Sequence, residues 1–286
     1  ASMNATTTGA NNTAIGREAM LSNTTGASNV AVGSTSLDAN TTGSYNTAVG
    51  QAALSANTDA TYNTGIGYRA LAVNTTAAQN TAVGGVALAS NTTGANNTGI
   101  GTSALNANTT GAGNVAVGTN SLVANTTSSN NVAVGYDALA SNTTGGPNTA
   151  VGKGALNANT TGNNLTALGR AALGNNTTAH YNTAVGHYSM LSNSTGDYNT
   201  AIGNGSLQNN TTGTQNNAFG TSALYTNTTG NFNVAVGQAA LFYNATGSNN
   251  VAIGDNALFN NTVSGNTAVG QQALEANTTG GSNVAI

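Results

Sequence analysis

The sequence predicts an all-β fold, a parallel β-solenoid or β-roll of about sixteen coils of 17 residues each. Glycines recur every 17 residues from Gly16 to Gly254, and the next one, Gly270, comes one residue early. Each of these glycines follows a short alternating segment, in most coils of the form Thr/Val-Ala-Val/Ile, which is typical of a strand. Helix is disfavoured, because glycine, Asn and Thr recur in every coil and all have low helix propensity.

Within one coil, the strand, the glycine and a leucine follow each other in fixed order. The Val or Ile before the glycine (Val32) and the Leu or Met four residues after it (Leu37) are predicted to be buried in every coil. The glycine allows a sharp corner with positive φ. The Ala in the middle of the strand faces the other way, and we expect it to line a second packed surface, such as a trimer axis.

Two asparagines recur in the coil, one seven residues after the glycine (Asn23) and one that opens the strand (Asn29), with Leu165 as an exception to the second. Asn tolerates left-handed backbone and bonds nearby backbone groups, so both are predicted to be turn residues. Stacked amides are also expected to form hydrogen-bonded ladders. The triplet Asn-Thr-Thr matches a glycosylation acceptor, but a turn amide followed by a β-favouring Thr accounts for it without sugar.

The repeat runs through residues 1–286 without a linker or a shift in composition, which predicts a single repeat domain. The sequence begins and ends within a coil, and neither end shows the polar cap that solenoids normally carry. We therefore expect either a fragment of a longer fibre or chains that stack end to end.

Composition argues against several classes of function. Charged residues make up 4% of the chain, the net charge is −3 and there is no cysteine, which is unlike an ordinary enzyme and unsuited to nucleic acid or anionic membranes. No apolar run is long enough to insert into a bilayer. Without a nucleophile motif or a set of three converging metal ligands, the sequence predicts no catalytic residues, no cofactor and no metal site.

Aromatic residues give the one candidate for recognition. All of them except Phe219 fall at variable positions of the repeat and are therefore expected to face outward, and two neighbouring coils carry Tyr181, His187, Tyr188 and Tyr198. Exposed rings beside Asn amides are suited to stack on sugar faces and bond their hydroxyls. These four residues are the predicted binding site, with a glycan as ligand; the alternative is scattered surface apolar residues without a role.

The segments Asn29-Val-Ala-Val-Gly33 and Asn250-Val-Ala-Ile-Gly254 resemble the S-V-A-I-G motif of trimeric autotransporter adhesin heads. The longer unit Asn131-Val-Ala-Val-Gly-Tyr-Asp-Ala-Leu-Ala-Ser-Asn-Thr-Thr-Gly145 is similar to repeats of tail-fibre-type proteins of phages and bacteria. The 17-residue period departs from that of the adhesin heads. The resemblance implies an elongated, parallel homotrimeric stalk or head outside the cell, on a cell or virion surface. It transfers no binding residues, because the matching positions are structural.

The predicted function is therefore structural and adhesive: a rigid stalk or head that associates with itself and contacts a cell-surface glycan or protein receptor. An ice-binding solenoid is one alternative, because Thr holds the second position, after the opening residue, in ten of the seventeen predicted strands and could form ladders that order water. The interchange of that Thr with Val counts against it, since interchange suggests a buried position. A self-assembling extracellular filament subunit is the second alternative.

Overall fold

The computed structural model describes residues 2–286 and contains seventeen short strands and no helix within them. The predicted fold is confirmed: the chain is an all-β parallel solenoid of about sixteen turns of 17 residues. Its coils form two compact units, the first ending at Thr144 and the second running from Gly145 to Ile286.

Strands of the first unit pair in parallel with the next strand along the chain. They are β1 (Thr13–Ile15), β2 (Val30–Val32), β3 (Thr47–Val49), β4 (Thr64–Ile66), β5 (Thr81–Val83), β6 (Thr98–Ile100), β7 (Val115–Val117) and β8 (Val132–Val134). Equivalent residues lie opposite each other, as Ala14 does to Ala31.

The second unit repeats this arrangement with nine strands. They are β9 (Asn148–Val151), β10 (Leu165–Leu168), β11 (Thr183–Val185), β12 (Thr200–Ile202), β13 (Asn217–Phe219), β14 (Val234–Val236), β15 (Val251–Ile253), β16 (Thr267–Val269) and β17 (Val284–Ala285). The missing residue before Gly270 leaves the register intact, because Val251 still pairs with Thr267.

The orientation of the strands is the reverse of the predicted one. The middle Ala points into the core and is fully buried, as at Ala116, whereas the Val or Ile before the glycine points outward and is 38% exposed at Ile66. Space explains this: a Cβ on Gly65, at the middle position, would lie only 3.2 Å from Cγ of Leu54. Only a methyl group or less fits there. The prediction that Ala lines a trimer axis is therefore wrong.

The Leu or Met four residues after the glycine is buried as predicted, and it holds an unexpected backbone conformation. Leu122 and Leu139 are fully buried and have φ of 50° and 51°. A left-handed residue with a side chain costs about 1–2 kcal/mol. Burial of a Leu side chain contributes about 2 kcal/mol, and the Leu122 N–H donates to the Ala138 carbonyl at 3.0 Å. Packing thus offsets the backbone strain.

The sixteen glycines that end the strands, here called the corner glycines, adopt the predicted positive φ, between 128° and 138°. Within each unit, all of them except the last, which is Gly270 in the second unit, also lie directly against the corner glycine of the next coil. A Cβ on Gly118 would stand 2.6 Å from the carbonyl oxygen of Gly135. Glycine is therefore required both by conformation and by close approach of the backbone.

Asparagine forms the predicted ladders, but inside the core. Asn108 is fully buried, and its Nδ2 donates to Oδ1 of Asn91 at 2.8 Å and to the Gly111 carbonyl at 2.9 Å. In a second ladder, the Asn114 backbone N–H donates to Oδ1 of Asn97 at 2.9 Å. None of these four ladder residues adopts the left-handed backbone expected of turn asparagines.

Leu165, which replaces Asn in the second ladder, also interrupts the ladder of hydrogen bonds. The Leu165 N–H still donates to Oδ1 of Asn148 at 3.0 Å, but its side chain offers no amide to the coil that follows.

The buried first ladder also bears on the Asn-Thr-Thr triplet. Because its Asn amide is fully used within the core, as at Asn108, the folded chain supports a packing role for this Asn rather than a sugar acceptor.

Candidate binding surface

The four predicted binding residues lie at opposite ends of the strands, two of them before a strand and two of them after one. Tyr181 and Tyr198 belong to a row that we call the shoulder row, made of the residue five positions before each corner glycine. His187 and Tyr188 directly follow the corner glycine Gly186, on the far side of the strand. Ring contacts join the members of each pair, and none within residues 2–286 joins one pair to the other. The predicted cluster is thus two separate pairs.

The shoulder-row pair is a parallel stack. The rings of Tyr181 and Tyr198 lie 4.9 Å apart with planes 6° from parallel, and both residues have left-handed backbone. Tyr45 and Tyr62 hold the same row in the first unit and stack in the same way, at 5.0 Å and 3°. The stacking therefore follows from the register of the coils, which places equivalent side chains one strand spacing apart.

The other pair is arranged differently. His187 and Tyr188 are tilted by 36° with ring centroids 3.8 Å apart. The guanidinium carbon of Arg170, from the preceding coil, lies 5.4 Å from the centre of the Tyr188 ring, within the range of a cation–π contact. The Tyr188 ring is thus already engaged within the chain.

His180 and Asp197, next to the shoulder-row tyrosines, bond to backbone rather than to each other's side chains. Nδ1 of His180 accepts the Asn163 N–H at 3.0 Å, and Oδ1 of Asp197 accepts the His180 N–H at 2.7 Å. Within residues 2–286, no three His, Cys, Asp or Glu side chains are grouped so that they could hold a metal ion.

A groove that the sequence did not predict opens beside the tyrosine stack. It has a volume of about 610 Å³ and is lined by Tyr198, Gln215, Asn217, Phe232 and Val234. Tyr198, Gln215 and Phe232 are successive members of the shoulder row, and Asn217 and Val234 are the first residues of β13 and β14. The sequence did hold one signal, because every other strand has Thr or Val at the place of Asn217.

The outward side chains of the strands form a second surface, which we call the strand face: the residues three and one positions before each corner glycine. The first of these is Thr or Val except at Asn217, and the second is Val or Ile except at Leu168 and Phe219. No charged residue occurs among them. Ile66 and Ile100 are 38% and 39% exposed. The strand face is therefore uncharged, largely apolar and accessible.

Further rings form a ladder on the side of the coil that follows the buried leucine. Tyr225, Phe242 and Phe259 stack on successive coils at 5.1 and 5.2 Å, and Tyr243 meets Phe242 and Phe259 edge-on. Gln208 and Glu275 hold the positions of this row before and after the rings, and the Gln208 amide already donates to the Tyr225 hydroxyl at 3.3 Å. The three stacked rings leave no gap for another ring between them, so the ladder offers less for recognition than the groove.

Ionic groups contribute little to either surface. Arg17 and Glu18 form an ion pair at 3.5 Å whose exposed geometry makes it weak. Burial raises the pKa of the Asp38 carboxyl, and the nearby charge of Glu18 adds to this rise, while hydrogen bonds from the backbone N–H groups of Asp38 and Ala39 oppose it. Residues 2–286 include no helix with the length and apolar character of a membrane span.

No protein-family model matches the chain, and comparison with curated proteins finds no significant similarity. The resemblance to adhesin heads and tail-fibre repeats therefore stays a prediction. What supports a function is the chemistry of the strand face and of the groove.

Proposed function

We propose that this chain is a structural segment of an extracellular surface fibre, and that its copies associate through the strand face. The exposed, uncharged Val and Ile side chains of that face carry the proposal. Eight strands at about 4.8 Å, with outward side chains covering about 10 Å of each, give the first unit a face of about 400 Å². Such an area matches the largest apolar patches of monomeric proteins, which often mark interaction sites.

Mechanical stiffness suits the same role. Within each unit, backbone hydrogen bonds and the two buried Asn ladders link neighbouring coils, as Asn108 links to Asn91, and the second ladder is interrupted at Leu165. Bending would have to stretch many short hydrogen bonds at once, because the coils share one continuous core. Such a segment holds a binding group away from the surface to which it is anchored.

The resemblance to adhesin heads favours three parallel chains. Parallel copies place equal strands side by side, so the uncharged strand face of each chain meets an identical, uncharged face. Recognition then falls to the variable outward positions, with a cell-surface glycan or protein as receptor. Weak contacts on several chains add up when they engage together.

The test is the mass of the chain in solution, compared with that of a double variant, Ile66→Glu/Ile100→Glu. Sedimentation equilibrium is expected to give a trimer for the parent and a monomer for the variant. Two carboxylates on each strand face would have to be buried without partners, which costs several kcal/mol. The circular dichroism spectrum stays unchanged, because both side chains point outward.

Thr76→Glu/Thr110→Glu is the matched control. It adds the same charge to exposed positions on another side of the same unit, and it should remain a trimer. A parent that sediments as a monomer at all micromolar concentrations contradicts the proposal, and so does a trimer formed by the Ile66→Glu/Ile100→Glu variant.

Ice binding is a second candidate, favoured by the outward orientation of the strand Thr. Thr64, Thr81 and Thr98 follow each other on the strand face, spaced by about 4.8 Å. Their interchange with Val elsewhere does not indicate burial, because both residue types face outward. Regular methyl and hydroxyl groups on an uncharged face are suited to order water. A monomeric parent that shows thermal hysteresis, lost in Ile66→Glu/Ile100→Glu, would favour this function; a trimer without hysteresis contradicts it.

A further inference from the structure

We propose that the groove between Tyr198 and Phe232 is a subsite for one ring of a neutral saccharide. This inference rests on the proposed function in one respect, that the receptor is a surface glycan, and it names the residues that would bind it. Of the four residues that the sequence predicted, only Tyr198 lines the groove.

The spacing of the shoulder row sets the size of the subsite. Where two neighbouring coils both carry rings in this row, the rings stack about one strand spacing apart, as Tyr181 and Tyr198 do at 4.9 Å. Gln215 separates Tyr198 from Phe232, so these two rings stand about two strand spacings, or about 10 Å, apart. All of these residues have nearly the same φ, 56–58°, so their side chains leave the backbone in the same direction.

A gap of this size accepts one ring. Van der Waals contact between carbon atoms occurs at about 4 Å, so a ring in contact with both aromatic faces occupies about 8 Å of the separation. The rest of the distance between the two aromatic rings accommodates the thickness of a puckered pyranose, which is thicker than a planar aromatic ring. Both faces are accessible, since Tyr198 and Phe232 are 56% and 50% exposed. Tyr181 supports the Tyr198 ring from behind.

Two amides provide the polar contacts that a sugar needs. Gln215 holds the row position between the two rings, and Asn217 lies at the adjoining strand. Neither side chain is hydrogen-bonded to another described residue, so the Gln215 side chain is free to turn aside and bond the edge of a sugar that enters the gap. Each amide offers two N–H donors and one acceptor oxygen. A pair of such groups matches neighbouring sugar hydroxyls, each of which both donates and accepts.

Charge selects the class of saccharide. No Lys, Arg, His, Asp or Glu lines the groove, so it has no partner for a carboxylate or sulfate. Asp197, next to Tyr198 in the chain, adds a negative charge rather than a positive one, and its carboxylate accepts the His180 N–H of the preceding coil. The groove is therefore suited to neutral glycans rather than sialylated ones.

The sharpest test fills the gap with a third ring. Gln215→Tyr places Tyr at a position where Tyr198 and Tyr181 already occur with the same backbone, so the coil should fold normally and the new ring should stack between its neighbours. On a printed array of neutral and sialylated oligosaccharides, the parent is expected to bind neutral structures. Gln215→Tyr should lower that binding at least tenfold, although it adds aromatic surface.

Two further variants and one control complete the experiment. Phe232→Asn, which copies the residue at Asn249 in the same row, should also lose at least tenfold, and Asn217→Thr, which restores the usual residue, should lose less. Gln79→Tyr adds a ring to the shoulder row of the first unit next to Tyr62 and should leave binding unchanged.

Three outcomes overturn the inference: a parent that binds no neutral glycan, a preference for sialylated structures, or a Gln215→Tyr variant that binds as well as the parent. Sedimentation of the same samples keeps this result apart from the proposed fibre role. A trimer that binds no sugar removes the subsite alone, whereas a monomer that binds neutral sugar through Gln215 removes the proposed assembly alone.

Discussion

Gly118→Ala is expected to lower the free energy of unfolding of the first unit by about 4 kcal/mol, a loss at the upper end for single substitutions. The corner glycine has a φ of 130°, in a region that residues with a side chain enter only at a cost of about 1–3 kcal/mol. The added Cβ would also stand 2.6 and 2.7 Å from the carbonyl oxygen and carbon of Gly135. Relief would require the two coils to separate, which breaks hydrogen bonds between them.

Gly85→Ala is the matched control in the same unit. Gly85 directly follows a corner glycine, has no positive φ, and an added Cβ would meet nothing within 4 Å. Its stability should stay within about 0.5 kcal/mol of the parent. Urea unfolding followed by circular dichroism measures both variants, and hydrogen exchange locates the loss around β7 and β8. Equal effects of the two substitutions would contradict the role assigned to the corner.

The period made most of the fold predictable. When equal coils stack, each residue meets its own equivalent in the next coil, so one alignment of the repeat yields the register, the corner at Gly118 and the Asn ladders. The burial of the Leu row followed in the same way. These features depend only on which residues recur.

The orientation of the strands was not predictable from alternation. A pattern such as Val115-Ala-Val117 defines two faces and does not say which one points inward, and the larger residues favoured the wrong choice. The answer depends on the cross-section of the coil, where Leu54 approaches within 3.2 Å of a Cβ on Gly65. That cross-section in turn depends on left-handed Leu residues such as Leu122, which no propensity of Leu suggests.

The candidate site was predicted only in part, because proximity in sequence misled. Tyr181 and Tyr188 lie seven residues apart, yet a whole strand separates them. The groove joins Tyr198 to Gln215 and Phe232, which are 17 and 34 residues away and become neighbours only through stacking. Comparing each residue with its equivalents in other coils would have found it, since Asn217 departs from the Thr or Val of its row.

Removal of a single amide from the first buried ladder, by Asn108→Ala, is expected to lower the free energy of unfolding of the first unit by about 4 kcal/mol. The substitution deletes two hydrogen bonds donated by Asn108 and one that it accepts from Nδ2 of Asn125 at 3.0 Å. Oδ1 of Asn91 then stays buried without a donor, and a small cavity replaces the amide. Urea unfolding measures the loss.

The double variant Asn91→Ala/Asn108→Ala tests whether the two amides are coupled through their hydrogen bond. In the double variant the orphaned oxygen of Asn91 is gone, so the combined loss should fall short of the sum of the single losses by about 1 kcal/mol or more. Asn96→Ser, at an exposed position that Ser28 occupies in an earlier coil, is the control and should cost less than about 0.5 kcal/mol. Strictly additive losses for the pair would contradict a hydrogen-bonded ladder, because two residues joined by a hydrogen bond do not contribute independently.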